Sequence, residues 1–138
     1  MSDIEYAVRP VGRVESPLVD LAMAPRQGDE GAPDAWLVFE PWVADAHRDL
    51  RAGMDVLVLT WLDRADRAVQ VVHPRGDLTR EPQGVFTTRS PHRPNPIGLH
   101  RVTIAEVDGH RLRVRNLEAI DGTPIVDVKA VLGDIADR

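Results

Sequence analysis

Between His73 and Pro96 the chain carries Pro74, Pro82, Pro91, Pro94 and Pro96. Each proline fixes φ at about −65° and removes a backbone donor, so this stretch holds neither a helix nor a central strand, except around residues 85–88. A stiff loop therefore divides the chain, and the core has to come from its flanks. Upstream, residues 54–62 (MDVLVLTWL) form a nearly continuous apolar, β-branched run of strand length, suited to a strand buried on both faces, with residues 69–72 as its expected hairpin partner. Downstream, residues 99–107 and 110–117 alternate in strand fashion around Asp108-Gly109, a type I′ hairpin signal, and residues 124–132 supply another strand.

The remaining elements fit the same class. Residues 6–14 alternate until Pro10 interrupts them, and residues 35–39 are a short apolar run. Pro41 opens an expected helix through Leu50, with Trp42, Val43, Ala46 and Leu50 on one face and Gly53 as its stop. Trp36, Trp42 and Trp61 read as core or helix-face aromatics. At least six strands, one helix and no βαβ alternation predict a mainly β fold, a small antiparallel β-barrel with one short helix, because closure hides the sheet edges.

Composition narrows the function classes. A length of 138 residues fits one domain, expected over residues 1–138 with its core at about 11–132 and no separate C-terminal domain. The 43% apolar and 28% charged residues are those of a folded chain. No apolar run reaches the roughly 18 residues of a membrane span, and the acidic start MSDIEYAVRP lacks a secretory pattern, so the expectation is a cytoplasmic protein off the membrane. Without cysteine there is no disulfide framework, thiolate metal site or cysteine nucleophile. The histidines are scattered, and no dinucleotide-binding, P-loop, nucleophile-elbow or H-E-x-x-H pattern occurs, so no metal site is expected. Lys and Arg number 17 against 22 Asp and Glu, a net charge of −5, so any nucleic-acid contact has to be local. Residues 75–115 offer such a place, with Arg75, Arg80, Arg89, Arg93, Arg101, Arg111, Arg113 and Arg115 against Asp77, Glu81, Glu106 and Asp108.

Three segments carry polar chemistry. Residues 84–98 (GVFTTRSPHRPNPIG) set two guanidiniums, an imidazole, hydroxyls and an amide on a backbone stiffened by three prolines, which lowers the ordering cost of binding an anion or nucleotide. Residues 120–124 (IDGTP) read as a turn between strands. Pro25, Arg26 and Gln27 lie in the long loop of residues 16–33, a length that loops with a function tend to have.

Taken in order, Gly12-x-Val14-x-Ser16-Pro17, Pro25-Arg26-Gln27, the residue 84–98 segment and residues 121–129 (DGTPIVDVK) closely resemble the TsaA-like (TrmO-like) family of S-adenosylmethionine-dependent tRNA methyltransferases. The resemblance covers residues 11–129. It implies a small β-barrel acting as a homodimer that methylates the exocyclic nitrogen of threonylcarbamoyladenosine beside the tRNA anticodon. Carried over residue by residue, the cofactor S-adenosyl-L-methionine would be held by Pro25, Arg26, Gln27, Leu62, Asp63, Arg89, Leu99, Ile120, Asp121, Gly122 and Thr123. His92, Arg93 and Asn95 are the expected substrate contacts, and Asp121, Asp127 or His92 could take the proton. A carboxylate or turn carbonyls suit a sulfonium, and an arginine suits the methionyl carboxylate or a phosphate. Two other readings stay open: the same chemistry on a small-molecule acceptor, and a non-catalytic cofactor-binding module.

Overall fold

The computed structural model describes residues 3–19 and 32–133. Eight strands follow one another: β1 (Gly12–Glu15), β2 (Ala35–Phe39), β3 (Asp55–Trp61), β4 (Val71–Val72), β5 (Gln83–Gly84), β6 (Ile97–Asp108), β7 (Arg111–Arg115) and β8 (Pro124–Ala130). Six of them pair antiparallel in the order β1-β2-β7-β6-β3-β8, and β8 returns to β1 through Gly12↔Ile125, so the order closes on itself. The period-2 alternation of these strands sets the interior. Val14, Leu37, Val56, Val58, Val102, Ile104, Leu112, Val114 and Ile125 form its buried cluster. Burying each such side chain contributes about 1.5–3 kcal/mol.

The long apolar run becomes β3, which is hydrogen-bonded on both edges, to β6 from Asp55↔Thr103 to Trp61↔Ile97 and to β8 from Val56↔Ala130. Those two partners leave no edge for residues 69–72. Val71 and Val72 pair instead with Gly84 and Gln83, making a separate two-stranded sheet that anchors the proline-rich loop. The β6–β7 hairpin forms as read, with its turn one residue later. Asp108 pairs with Arg111, so Gly109 and His110 are the central residues. Only Gly109 has positive φ, at 61°, the pattern of a type II′ turn with glycine first.

The helix expected over residues 41–50 is not formed. Pro41–Val43 makes one 3-10 turn, and Ala44 N–H to Pro41 O and Leu50 N–H to His47 O close three-residue spans at 3.2 and 3.1 Å. Of the four residues expected on one face, Val43 is buried and Leu50 half-buried, whereas Trp42 is 48% exposed and Ala46 faces solvent. Half of the expected apolar stripe stays in solvent, and packing of such a stripe is what holds short helices. The tryptophans also differ from the expectation, since none is buried. Each carries an arginine on its face instead: Arg111 on Trp36 at 4.7 Å, Arg9 on Trp42 at 4.0 Å and Arg67 on Trp61 at 5.2 Å. Among the described residues no helix is long and apolar enough to cross a membrane.

Candidate functional site

Because every pairing in the ring is antiparallel, the C-terminal ends of β1, β3 and β7 meet the N-terminal ends of β2, β6 and β8 at one end of the fold. Three connections emerge there: the β1–β2 loop, the chain from β3 through the proline-braced loop to β6, and the β7–β8 crossing of residues 116–123. The end of the Gly12–Pro17 motif, the residue 84–98 segment and the turn of the 121–129 motif thus belong to one end. Pro25, Arg26 and Gln27 lie outside the described residues, between Val19 and Ala32.

The turn at residues 120–123 is the most firmly held part. Asp121 N–H donates to Leu18 O at 2.6 Å, Gly122 N–H to Val14 O at 2.7 Å, and Val14 N–H to Thr123 O at 2.9 Å. Thr123, 3% exposed, closes the turn from inside by donating its hydroxyl to Ile120 O at 2.7 Å. Asp121 Oδ1 accepts from Ser16 N–H at 3.0 Å, while Oδ2 has no partner among the described residues. Beside this turn an open cleft of ≈ 590 Å³ runs along Arg13, Glu15, Ser16, Asp34 and Trp36. Glu15 gives both its oxygens, to Arg13 at 3.2 Å and to Arg111 at 2.9 Å, and Asp34 gives Oδ2 to Arg113 at 2.8 Å. Asp121 Oδ2 and Asp34 Oδ1 are therefore the cleft's carboxylate oxygens without a partner among the described residues, and only that of Asp121 belongs to a motif segment.

The proline-braced loop is pinned by its own arginine. Arg93 donates to Val85 O at 2.9 Å, Ser90 O at 3.0 Å and Thr88 O at 3.2 Å. Arg67 ties the loop to the end of β3, donating to Pro94 O at 2.8 Å and to Asn95 Oδ1 at 3.0 Å. Leu62 N–H donates to Pro96 O at 2.8 Å, which seats Leu62 and Asp63 beside the entry to β6. Arg89 is exposed and makes no hydrogen bond or ion pair among the described residues.

The other candidates sit elsewhere. Leu99, 37% exposed, lies on the outer face of β6 opposite Leu59, and Leu59 in turn faces Asp127. Asp127 is spent on its neighbours, accepting from Val128 N–H at 2.9 Å and pairing with Lys129 at 3.2 Å. His92 Nδ1 accepts from Asp66 N–H at 2.9 Å, so the neutral ring keeps its proton on Nε2 and has no free lone pair for another. Of the three candidate bases, only Asp121 keeps an unoccupied oxygen.

A buried cluster at this end escaped the sequence reading. Thr60, fully buried, shares a 2.7 Å hydrogen bond with His100 Nε2, and His100 Nδ1 lies 2.6 Å from Glu118 Oε1. A carboxylate only accepts, so Nδ1 carries a proton, and in the neutral ring Nε2 accepts the Thr60 hydroxyl. The signal was present in the alternation: Thr60 continues the inward series Val56, Val58, and His100 continues the series of Val102 and Ile104, so both are polar residues at core positions.

Three of the eight arginines of the basic stretch at residues 75–115 are neutralised by carboxylates. Arg101 pairs with Asp55 at 3.3 Å, Arg111 with Glu15, and Arg113 with Glu106 at 3.2 Å as well as Asp34. Those bonds hold Arg113 above its ordinary pKa, Glu106 contributing most. Among the described residues no group of three or more metal-ligating side chains is gathered.

The model of the tRNA-methyltransferase O N-terminal domain family matches residues 13–136. The chain belongs to that family. Among its relatives, a "Probable S-adenosyl-L-methionine-binding protein" of Methanothermobacter thermautotrophicus is 44% identical over 135 residues, 98% of this chain and 96% of its own. An "S-adenosyl-L-methionine-binding protein" of Archaeoglobus fulgidus is 44% identical over 125 residues, 88% of this chain and 86% of its own. The crystal structure of TrmO from Pseudomonas aeruginosa aligns with a TM-score of 0.75 at 27% identity, over 99% of this chain. The chain spans 61% of that TrmO structure.

Proposed function

We propose that this chain binds S-adenosyl-L-methionine and transfers the methyl group to the exocyclic nitrogen of threonylcarbamoyladenosine beside a tRNA anticodon. The observation that carries the reading is the meeting of the end of β1, the proline-braced loop and the residue 120–123 turn at one end of the strand ring, beside a cleft where Asp121 Oδ2 has no partner among the described residues. The names of the relatives support the cofactor, and the TrmO likeness supports the acceptor.

The residues present fit such a ligand. Asp121 Oδ2 and the Ile120 to Thr123 turn suit its cationic end, Arg89, unpaired among the described residues, suits a carboxylate, and Pro25, Arg26, Gln27, Leu62, Asp63 and Leu99 complete the proposed set. Bound S-adenosyl-L-methionine supplies an electrophilic methyl carbon on a sulfonium. The chain's own task is then to align the acceptor nitrogen, exclude water and receive one proton, and alignment contributes most of the rate. Asp121 Oδ2 is the proposed proton acceptor. His92 and Asn95 line the loop that would face the nucleoside, while Arg93 holds that loop in shape.

The reading includes a homodimer in the cytoplasm, built on a small barrel. Ile97, 44% exposed, and Leu99 lie beside Trp61 and Leu59 on the outer face of β3 and β6, an apolar strip suited to a second copy. One observation favours a small-molecule acceptor instead: Arg101, Arg111 and Arg113 are neutralised by carboxylates, which reduces the local positive charge that phosphates would meet. Incubation with methyl-labelled S-adenosyl-L-methionine and tRNA, with and without the threonylcarbamoyl group, separates the two. Labelling that requires the modification and falls steeply with salt supports the tRNA reading. Tight cofactor binding with no label in RNA overturns it.

A further inference from the structure

The Thr60–His100–Glu118 cluster has no part in the steps above, yet each member adjoins a proposed cofactor contact. Thr60 lies two residues before Leu62, His100 follows Leu99, and Glu118 lies two before Ile120. Those contacts stand on three separate stretches, and two of them lack any backbone ladder between them. β6 pairs with β7 only from Thr103 onward, so the first half of β6 has no strand on that edge. Among the described residues His100 to Glu118 is the one hydrogen bond joining residues 97–102 to the crossing at 116–123. On the other side, the β3–β8 register shifts between Leu59 and Thr60, an irregularity of the kind that re-aims strands next to binding sites. His100 holds the shifted residue by its hydroxyl.

The cluster also explains a motif residue. A Cβ at Gly98 would collide with Thr60 Oγ1 and come within 2.7 Å of His100 Nε2, so the glycine of the P-N-P-I-G segment leaves room for the imidazole. Stability alone does not call for these side chains. The adjoining inward positions are filled by Val56, Val58 and Val102, and well-packed apolar replacements of a buried polar group are often neutral or stabilising.

We propose that Thr60, His100 and Glu118 form a buried strut, centred on His100, that holds the end of β3, the start of β6 and the turn at residues 120–123 at fixed spacing. His100 is then a positioning residue for the S-adenosyl-L-methionine site, a role that rests on the function proposed above. The decisive variant replaces the strut with apolar groups: Thr60→Val, His100→Leu and Glu118→Leu combined. Its thermal stability without cofactor should match that of the wild type, while its dissociation constant for S-adenosyl-L-methionine rises about tenfold or more. Amide exchange measured without cofactor should speed up at Leu62, Asp121 and Gly122 and stay unchanged at Leu37 and Leu112. Wild-type affinity together with wild-type exchange in a stable variant would overturn the strut.

Should the combined variant fail to fold, single changes carry the same decision. Glu118→Gln keeps an oxygen acceptor for His100 Nδ1–H and should retain the wild-type affinity, whereas Glu118→Leu and Thr60→Val should weaken binding. Equal affinity in all three would overturn the proposal. If the wild type itself does not bind S-adenosyl-L-methionine, the proposed function fails, and the exchange pattern alone decides whether the strut positions these segments.

Discussion

Ser16 and Asp121 are 105 residues apart in sequence and joined by a 3.0 Å hydrogen bond from the Ser16 N–H to Asp121 Oδ1. With Asp121 N–H on Leu18 O, Gly122 N–H on Val14 O and Val14 N–H on Thr123 O, the turn before β8 is fastened to residues 14–18 by four hydrogen bonds. A ligand at this turn meets a surface already in place, which lowers the entropic cost of binding.

That bond can be separated from the free oxygen beside it. Asp121→Ala removes the acceptor, and at an exposed site this should cost about 0.5 kcal/mol. Asp121→Asn keeps Oδ1 and should melt with the wild type. Both lose the unpaired carboxylate oxygen and should bind S-adenosyl-L-methionine more weakly by calorimetric titration. Wild-type affinity in the Asn variant would remove Asp121 from the site.

The two arginines of the braced loop should behave oppositely. Arg93→Ala leaves the carbonyls of Val85, Thr88 and Ser90 without their donor, a loss of about 1–3 kcal/mol in urea unfolding. Arg89→Ala touches no described partner and should change stability by less than about 0.5 kcal/mol while weakening cofactor or RNA binding. A large stability loss in Arg89→Ala would show that its charge serves the fold instead.

How much of this was legible in the sequence depended on the range of the interaction that decides each element. The alternation of β6 and β7 and the apolar run of β3 are local patterns, and they translate directly into strands. The partner of Val71 was decided at a distance, because β6 and β8 take both edges of β3. Residues 41–50 have the spacing of an amphipathic helix, but Trp42 stays 48% exposed beside Arg9 and Ala46 faces solvent, so the pattern never becomes a buried face. At the site, the segments were visible as motifs, yet their meeting at one end follows from strand direction. The role of His100 was hidden for the same reason, since its partners lie 40 residues upstream and 18 downstream.

Gly98→Ala tests the crowding at this end. The added methyl meets Thr60 Oγ1 and the His100 ring, both buried, and neither can move without breaking their hydrogen bond. Overpacking of this kind should cost about 1–3 kcal/mol, read as a lower urea midpoint. A variant as stable as the wild type would mean that the strut yields.

Acid titration should show one carboxylate in particular. The Thr103 hydroxyl, donating at 2.6 Å, and secondarily Arg101 hold Asp55 below the ordinary aspartate range. A carboxylate depressed in the folded state stabilises above its unfolded pKa of about 3.9 and loses that contribution as pH falls through the lower folded value. Asp55→Asn should therefore lower the melting temperature at neutral pH and flatten its fall below about pH 4. Identical melting curves against pH for the two proteins would show that Asp55 contributes nothing.

The central claim is that the end of the strand ring where the motifs meet holds S-adenosyl-L-methionine. Titrating the unlabelled cofactor into nitrogen-15-labelled protein and following the backbone amides tests it most directly. The account expects shifts at Leu62, Asp63, Arg89, Leu99, Gly122 and Thr123, with Val43, Leu50 and Met54 at the opposite end unmoved. Shifts confined to that opposite end, or none at saturating cofactor, would contradict it.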